Sequence, residues 1–361
     1  MKISCEEVIS SRKVRNAKCK DKHDVVEEEA PKILEKMSEI IYRKGKNIPE
    51  FTLNTEIIIF ASGDIISNEN ETDMEDLVET SSIVQEKDFN FCLRNEYEDD
   101  SYLHDRRMEQ KYSLPHNFFV VGQINPVRRE IILNYLLQFC NFLQISTEIL
   151  HLSVTIFDRF LQKAEEIPEE LLKLSVVATI RIALKLGHVQ IDLPETSDIV
   201  LLTGDDYPPW KILAMEKKIC HVLEFNLLYP TPYSFLRRFD DLIRMSELQR
   251  NLAMYLLEIN ILNYKTFTIK PSLQVAAACC FSVAFFRNET VTNIWTTEME
   301  YITFYSIRTI NSIIQKMING LIVMGKSGLK STVCKKYSQQ KYFFISTFEE
   351  IYDIDLLKKF L

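Results

Sequence analysis

The sequence predicts an all-α protein in which two tandem five-helix units follow one further helix and a long N-terminal tail. Three observations lead to this fold class. From about residue 94 onward apolar residues recur at helical spacing, few stretches alternate polar and apolar residues, and glycine is scarce, with 8 in 361 residues. A chain of this length has room for two domains, and its 46% hydrophobic residues can fill two cores.

The composition argues against several classes of function. The net charge of −8 disfavours general affinity for nucleic-acid backbone. The eight cysteines contain no Cys-x-x-Cys pair, which favours a reducing compartment, and the six histidines show no spacing typical of a metal site. No secretory signal, membrane-spanning run, phosphate-binding loop or His-Glu-x-x-His motif occurs. We therefore expect no metal, no cofactor and no membrane partner.

The first 93 residues differ in character from the rest of the chain. They mix charges of both signs, contain the acidic runs "VVEEEAPK" and "NENETDMEDL", and lack sustained helical periodicity. We predict a largely disordered tail over residues 1–93. The basic stretch "SSRKVRNAKCKDK" (10–22) is either a nuclear import signal or a solvated charged segment.

The first unit, with its preceding helix, is predicted over residues 94–228. Asn125 and Pro126 form a helix start, a cap residue followed by proline at the first position. The segment 168–186 is apolar on nearly all sides and contains small residues, a pattern typical of a central helix packed by several others. A short helix is predicted near 195–203.

The proline-punctuated segment "LLYPTPYSF" (227–235) is the predicted boundary between the units. After it the helical pattern repeats weakly in a second unit over 229–345. The segment "PSLQVAAACCFSVAFF" (271–286) is again apolar on all sides and takes the same place in the order as the earlier central helix. Residues 346–361 are predicted to be a C-terminal tail.

Several motifs in order resemble the cyclins of the mitotic A/B type. The stretch "EYEDDSYLHDRRMEQKY" is similar to their N-terminal helix, "INPVRREIILNYLLQF" and "TEILHLSVTIFDRFL" to the first two helices of the first cyclin box, and "YKTFTIKPSLQVAAACC" to the core of the second box. The resemblance covers about residues 95–345, and "PTPYSFLRRF" favours the B type. It identifies the two units as tandem cyclin boxes of a divergent family member.

The resemblance implies a partner and a function. Cyclins are not enzymes; they bind and activate a cyclin-dependent serine/threonine protein kinase by moving its αC helix inward, which lets the Lys–Glu ion pair of the kinase form. The implied role is control of cell-cycle progression at G2/M and mitosis, in the nucleus and cytoplasm. Kinase substrates are further candidate partners, and nucleic acid is not expected to bind.

Four residues carry over from the family to a kinase interface. Lys185 in "IALKL" and Glu216 in "LAMEKK" match the lysine and glutamate that anchor the kinase, and Leu186 and Ser101 occupy neighbouring contact positions. From spacing alone, a lysine whose stem covers apolar surface and a solvated glutamate are the simpler interpretation. The family context favours the interface. Ser101 stands where an apolar contact is usual, and "KLGH" lacks the two glutamates expected after Lys185.

Asp158 and Arg159 lie inside an otherwise apolar helix. An unpaired buried carboxylate is strongly destabilising, so Asp158 requires a cationic partner. The resemblance implies Arg129, and a surface pair with Arg128 or a lysine is the alternative. We expect the Arg129–Asp158 pair to determine how two helices cross. Because the sequence neighbours of Arg159 are polar, we expect its guanidinium to reach water.

The family also has a groove on the first box that docks substrate Arg-x-Leu motifs. The matching positions are Arg128, Ile132, Tyr135, Gln138 and Lys173. Arg128 replaces a methionine, Tyr135 a tryptophan, and Gln138 an acidic residue that would meet the arginine of the motif. Counted with Lys173 across the groove, two added positive charges and one lost negative charge predict that the groove repels basic motifs.

Two other functions stay open from the sequence. A degenerate cyclin-fold protein would bind a partner without activating a kinase, and the polar Ser101 and the missing glutamates favour it. A transcription factor of the TFIIB type shares the fold and binds nucleic acid. It would show a basic second unit and an N-terminal zinc ribbon, and the sequence contains neither.

Overall fold

The computed structural model shows a helical chain. It describes residues 96–115, 118–121, 124–164, 167–187, 207–327 and 331–361. No strand occurs in these ranges, which confirms the all-α prediction. The predicted tail over 1–93 and the helix predicted near 195–203 lie outside the described residues.

Two preceding helices lead into the first bundle. The preceding helices are α1 (Glu96–Lys111) and α2 (Phe118–Val121), and the helices of the first bundle are α3 (Pro126–Phe142), α4 (Thr147–Lys163), α5 (Glu169–Gly187) and α6 (Pro209–Val222). As predicted, Asn125 caps α3: its side-chain oxygen accepts the Arg128 backbone N–H at 2.8 Å, and Pro126 is the first helical residue.

The second bundle follows the linker in the chain. Its helices are α7 (Pro232–Ile243), α8 (Glu247–Leu262), α9 (Pro271–Arg287), α10 (Val291–Ile294), α11 (Thr297–Thr303) and α12 (Ile307–Ser327). A capping box between Thr231 and Ser234 starts α7. The runs 176–178 in α5 and 275–280 in α9 are fully buried, so the prediction of two bundles around apolar central helices is confirmed.

The C-terminal segment packs on the second bundle. It consists of α13 (Thr332–Tyr337), α14 (Ile354–Leu357) and four short 3-10 helices. Leu357 and Phe360 are buried, so residues 346–361, which the sequence predicts as a tail, contribute to the second core. A Cβ atom added to Gly325 would lie 2.4 Å from the Tyr352 ring, so this point of α12 requires glycine for the segment to approach.

Helix α1 docks on the second bundle, although it precedes the first bundle in the chain. Arg106 Nη1 donates to the Thr303 carbonyl at 2.7 Å. The Glu109 carboxylate accepts the backbone N–H of Ser272 at 3.0 Å and its hydroxyl at 2.6 Å, at the start of α9. A carboxylate at a helix N-terminus is favourable, although burial raises the pKa of Glu109 against the opposing effect of Arg106. Helix α1 therefore ties the chain ahead of the first bundle to the second.

A buried ion pair crosses α3 and α4 where the two bundles meet. Arg129 Nε donates to Asp158 Oδ1 at 2.8 Å and Nη2 to Oδ2 at 2.6 Å. The remaining Nη1 donates to the Ile261 carbonyl of α8 at 2.9 Å, and the Phe267 ring lies 3.8 Å from the guanidinium carbon. Arg129 is 1% exposed and Asp158 is 3% exposed. The pair implied by the resemblance is thus present, and it also bonds the first bundle to the second.

The expectation that Arg159 reaches water is wrong. Arg159 is 5% exposed, and its guanidinium carbon lies 3.8 Å from the Tyr229 ring centre and 4.6 Å from that of Tyr112. Its Nη1 donates to the Tyr112 carbonyl at 2.5 Å. The polar sequence neighbours mislead because α1 and the linker between the bundles, which are distant in sequence, cover this face of α4.

His151 on α4 is a buried titratable group near the C-terminal segment. Its side chain is 3% exposed, and burial, assisted by the positive charge of Lys336, lowers its pKa to about 3. A histidine in an unfolded chain has a pKa of about 6.5. Between these two values the unfolded chain binds a proton that the folded chain excludes, so the folded state loses stability as the pH falls.

We expect Asp158→Ala to lower the free energy of unfolding by about 3–5 kcal/mol, because Arg129 would stay buried without its carboxylate. Urea unfolding followed by circular dichroism measures this. Asp241→Ala is the matched control: Asp241 is exposed, and the change should stay within about 0.5 kcal/mol. Equal unfolding free energies for the two variants would contradict the role of the buried pair.

We expect the free energy of unfolding of the parent to fall by about 2 kcal/mol more than that of His151→Met when the pH is lowered from about 7 to about 5. Methionine takes up no proton in the unfolded chain, so the variant does not lose stability by proton uptake at residue 151. His221→Met, at an exposed position, should keep the parent's pH dependence. Parallel pH profiles for the parent and His151→Met would show that His151 is not held neutral.

Candidate functional site

Three charged side chains meet where α5 ends beside α6. The Glu216 carboxylate accepts Arg181 Nε at Oε1 and Lys185 Nζ at Oε2, each at 2.6 Å. Arg181 and Lys185 are four residues apart, so they lie one turn apart on the same face of α5. The Arg181 and Glu216 side chains are each 9% exposed, whereas the Lys185 side chain is 46% exposed. The cluster therefore has a buried end at Arg181 and an exposed end at Lys185.

The interpretation of Glu216 as a lone, solvated charge is wrong, whereas its contact with a kinase stays a prediction. Glu216 is 7% exposed and both of its carboxylate oxygens have donors within the chain. Sequence reasoning missed Arg181, although an arginine inside an apolar central helix itself indicates a buried carboxylate partner. Burial and then the Glu216 charge raise the pKa of the nearby Cys220 thiol.

The end of α5, where the sequence departs from the family pattern, packs closely on α4. Leu186 is 37% exposed, as a contact residue would be. At Gly187 an added Cβ would lie 2.0 Å from the Ile149 Cδ1 atom of α4. A side chain at position 187 would require the flexible end of Ile149 to move, so α5 packs closely on α4 at this point.

Large apolar side chains are exposed on α6 and in the loop that follows it. Trp210 is 65% exposed and Leu213 is 49% exposed, and their spacing places both on the outer face of α6. Phe225 and Leu228 follow in the loop after α6 and are 67% and 66% exposed. Exposed apolar groups of this size beside charged residues are typical of protein-binding surfaces. We call Lys185, Leu186, Trp210, Leu213 and Phe225 the α5–α6 surface.

Ser101 lies on the exposed side of α1, next to the buried Tyr102. The Tyr102 ring packs edge-on against Phe235 of α7, with 6.0 Å between ring centres. Tyr102 faces the second bundle, whereas Ser101 is exposed to solvent. The structure thus leaves Ser101 available as a surface position on α1.

The predicted groove residues divide between a cavity and the core. Arg128, Ile132 and Lys173 line a cavity of about 290 Å³ between α3 and the start of α5. Arg128 Nη2 pairs with Glu169 Oε2 at 2.5 Å, so an acidic residue that sequence reasoning missed offsets one of the two added positive charges. This exposed pair contributes little to stability.

Tyr135 and Gln138 do not line that cavity. Tyr135 is buried at 5% exposure, and the Lys173 ammonium lies 5.6 Å from its ring centre. Gln138 is partly buried one turn further along α3. The structure therefore brings together three of the five predicted groove positions at one opening, with Tyr135 beneath Lys173.

Within the described ranges, no cluster of three or more histidine, cysteine or acidic side chains could hold a metal ion. In the same part of the chain, none of the helices has the length and apolarity needed to cross a bilayer.

Comparison with known protein families gives the class of protein. Residues 100–228 match the cyclin N-terminal domain, and residues 230–351 match the cyclin C-terminal domain. The two matched regions meet at the predicted linker and correspond to the two bundles. The chain belongs to the cyclin family.

Individual relatives point to one branch of that family. G2/mitotic-specific cyclin-B of Spisula solidissima is 29% identical over 303 residues, which are 84% of this chain and 69% of that protein. G2/mitotic-specific cyclin-B1 of Xenopus laevis is 28% identical over 276 residues, 76% of this chain and 68% of that protein. These identities confirm the resemblance to a divergent B-type member.

A solved structure shows the same fold. The X-ray structure of a viral cyclin from Herpesvirus saimiri superposes with a TM-score of 0.50 at 16% sequence identity. The superposition covers 61% of this chain and 97% of the viral chain. At this identity the likeness concerns the fold alone.

We expect Glu216→Ala to lower the free energy of unfolding by about 3–5 kcal/mol, because Arg181 would remain buried without a carboxylate. Thermal and urea unfolding measure the loss. Glu289→Ala, at an exposed position, is the control and should stay within about 0.5 kcal/mol. If Glu216→Ala unfolds like the control, the carboxylate does not stabilise the first bundle.

Proposed function

We propose that this protein is the non-enzymatic regulatory subunit of a cyclin-dependent serine/threonine protein kinase and that the complex acts in mitosis. The α5–α6 surface carries the proposal, because it combines an exposed lysine at a family-matched position with exposed large apolar side chains on α6 and in the loop after it. Family membership and the mitotic B-type relatives support the kinase and the stage.

The physical basis of binding would be burial of apolar surface around a charged contact. Trp210, Leu213 and Phe225 would supply most of the apolar area, since aromatic and aliphatic anchors dominate binding energy at interfaces. Lys185 would determine how the kinase is positioned on this surface, because a desolvated charge tolerates few alternative partners. The helices that present these groups are packed on a buried core, so little order would be lost on binding.

Activation would follow from where this rigid surface holds the kinase. A protein kinase is active only when its αC helix is positioned so that the Lys–Glu ion pair forms and its activation loop leaves the site. A surface that binds the inward position of αC more tightly than the outward one shifts the kinase toward the active state. We therefore propose activation by differential binding, with kinase substrates as further partners.

A second candidate function is binding without activation. Two features of this chain favour it: Ser101 on α1 is polar, and the two glutamates expected after Lys185 are absent, with Gly187 and His188 in their place. Phosphate transfer to a histone substrate by the isolated complex separates the two functions. A complex that forms but leaves the kinase at its basal rate would support the second.

The proposed location is the nucleus and the cytoplasm. The basic stretch 10–22 is the candidate import segment and lies outside the described residues. A fluorescent fusion with this stretch deleted would remain cytoplasmic if the stretch directs import. If the distribution of the fusion protein did not change, the stretch would be a solvated charged segment and not an import signal.

We expect Lys185→Met to weaken binding of a mitotic cyclin-dependent kinase by about thirtyfold or more, since truncating a desolvated interface charge costs at least about 2 kcal/mol. The half-exposed Lys185 side chain is not part of the core, so the melting temperature should change little. Lys326→Met, an exposed lysine on α12, is the matched control and should bind like the parent. Parent-like binding by Lys185→Met would place the kinase on another surface.

A further inference from the structure

Each oxygen of the Glu216 carboxylate accepts a hydrogen bond from a cation of the same chain. Arg181 Nε occupies Oε1 and Lys185 Nζ occupies Oε2, each at 2.6 Å, in charge-assisted hydrogen bonds. Glu216 is also 7% exposed, so little of its side chain is open to a partner. A kinase that docks on the α5–α6 surface would therefore find little of this carboxylate exposed, and its charge already compensated by Arg181 and Lys185.

The two cations differ in what they can do when a partner arrives. The Arg181 side chain is 9% exposed and is held within the bundle, whereas the Lys185 side chain is 46% exposed at the helix end. If Lys185 turned toward a partner, Glu216 would keep Arg181 as its counter-charge. Without Arg181, the same movement would leave a buried carboxylate uncompensated, which is strongly unfavourable.

We propose that Arg181 is a positioning residue that neutralises Glu216, so that Lys185 alone makes the charged contact with the kinase. The inference rests on the proposed function and assigns the roles within its site. One carboxylate and two cations leave the cluster with one net positive charge, and that charge is exposed at Lys185.

The chemistry of the partner surface follows from this charge. A lysine ammonium offers three donors and no acceptor. The facing kinase surface must therefore present acceptors, either a carboxylate or the free carbonyl groups at a helix C-terminus, where the helix dipole also favours a cation. A kinase surface that presents donors for Glu216 does not fit this cluster.

The test compares three variants for binding of a purified mitotic cyclin-dependent kinase, measured by biolayer interferometry. The variants are Lys185→Met, Arg181→Met and the double variant Arg181→Met/Glu216→Leu. We expect Lys185→Met to lose about thirtyfold or more. Arg181→Met should lose about tenfold or more, because Glu216 then retains Lys185. The double variant should bind within about threefold of the parent, since Lys185 is free again.

The salt dependence of the association rate separates this role from a folding defect. The parent and the double variant keep one net positive charge in the cluster, and each single variant has none. Between about 50 and about 300 mM NaCl, the parent and the double variant should show the same slope, and the two single variants a different one. Partial unfolding lowers the amount of active protein and leaves the association rate constant unchanged.

Two results would overturn the inference, and they differ from each other. If Lys185→Met loses binding and the double variant is equally weak although it melts like the parent, Glu216 itself contacts the kinase. If Lys185→Met binds like the parent, the proposed interface is wrong and the inference falls with it. If the double variant does not fold, Glu216→Gln, which keeps an acceptor for Arg181, replaces it in the test. Binding of Glu216→Gln within about threefold of the parent supports the inference, and a loss as large as that of Lys185→Met overturns it.

Discussion

The buried ion pair between Arg129 and Asp158 is the interaction on which the arrangement of the two bundles depends. Arg129 pairs bidentately with α4 of its own bundle and uses its third nitrogen for a carbonyl of α8. A guanidinium at 1% exposure tolerates few other geometries, because every unpaired donor would be desolvated without compensation. The Arg129 side chain thus contributes both to the crossing of α3 and α4 and to the packing of the second bundle on the first.

Segments outside the two bundles extend this coupling. Helix α1 precedes the first bundle, yet Arg106 and Glu109 bond it to α9 and α11 of the second. The linker covers the other side of the junction, where Tyr229 stacks on Arg159. Because α1 and the linker are anchored to both bundles, the α5–α6 surface and α1 belong to one packed body. Such a body can hold a partner helix in one position at little entropic cost.

The same physical constraint operates at the candidate site, with a different outcome. Glu216 is buried like Asp158, but its two counter-charges have unequal exposure: Arg181 is enclosed and Lys185 faces solvent. The enclosed cation satisfies the burial requirement, which leaves the exposed one available for contact. The groove between α3 and α5 follows a third pattern, in which Glu169 offsets Arg128 at the surface. At each of these sites the net charge therefore depends on the whole group of paired residues and cannot be read from one residue.

The sequence by itself determined the helical class, the two central apolar helices and most helix starts, because periodicity and capping act over a few residues. It also indicated a cationic partner for Asp158, since a carboxylate in an apolar helix must be neutralised. Tertiary structure alone decided which charges are buried. Arg159 has polar neighbours in sequence but lies between Tyr112 and Tyr229, and the buried Arg181 pairs with Glu216 across 35 positions. Burial depends on which distant segments cover a helix face, and local pattern carries no information about that.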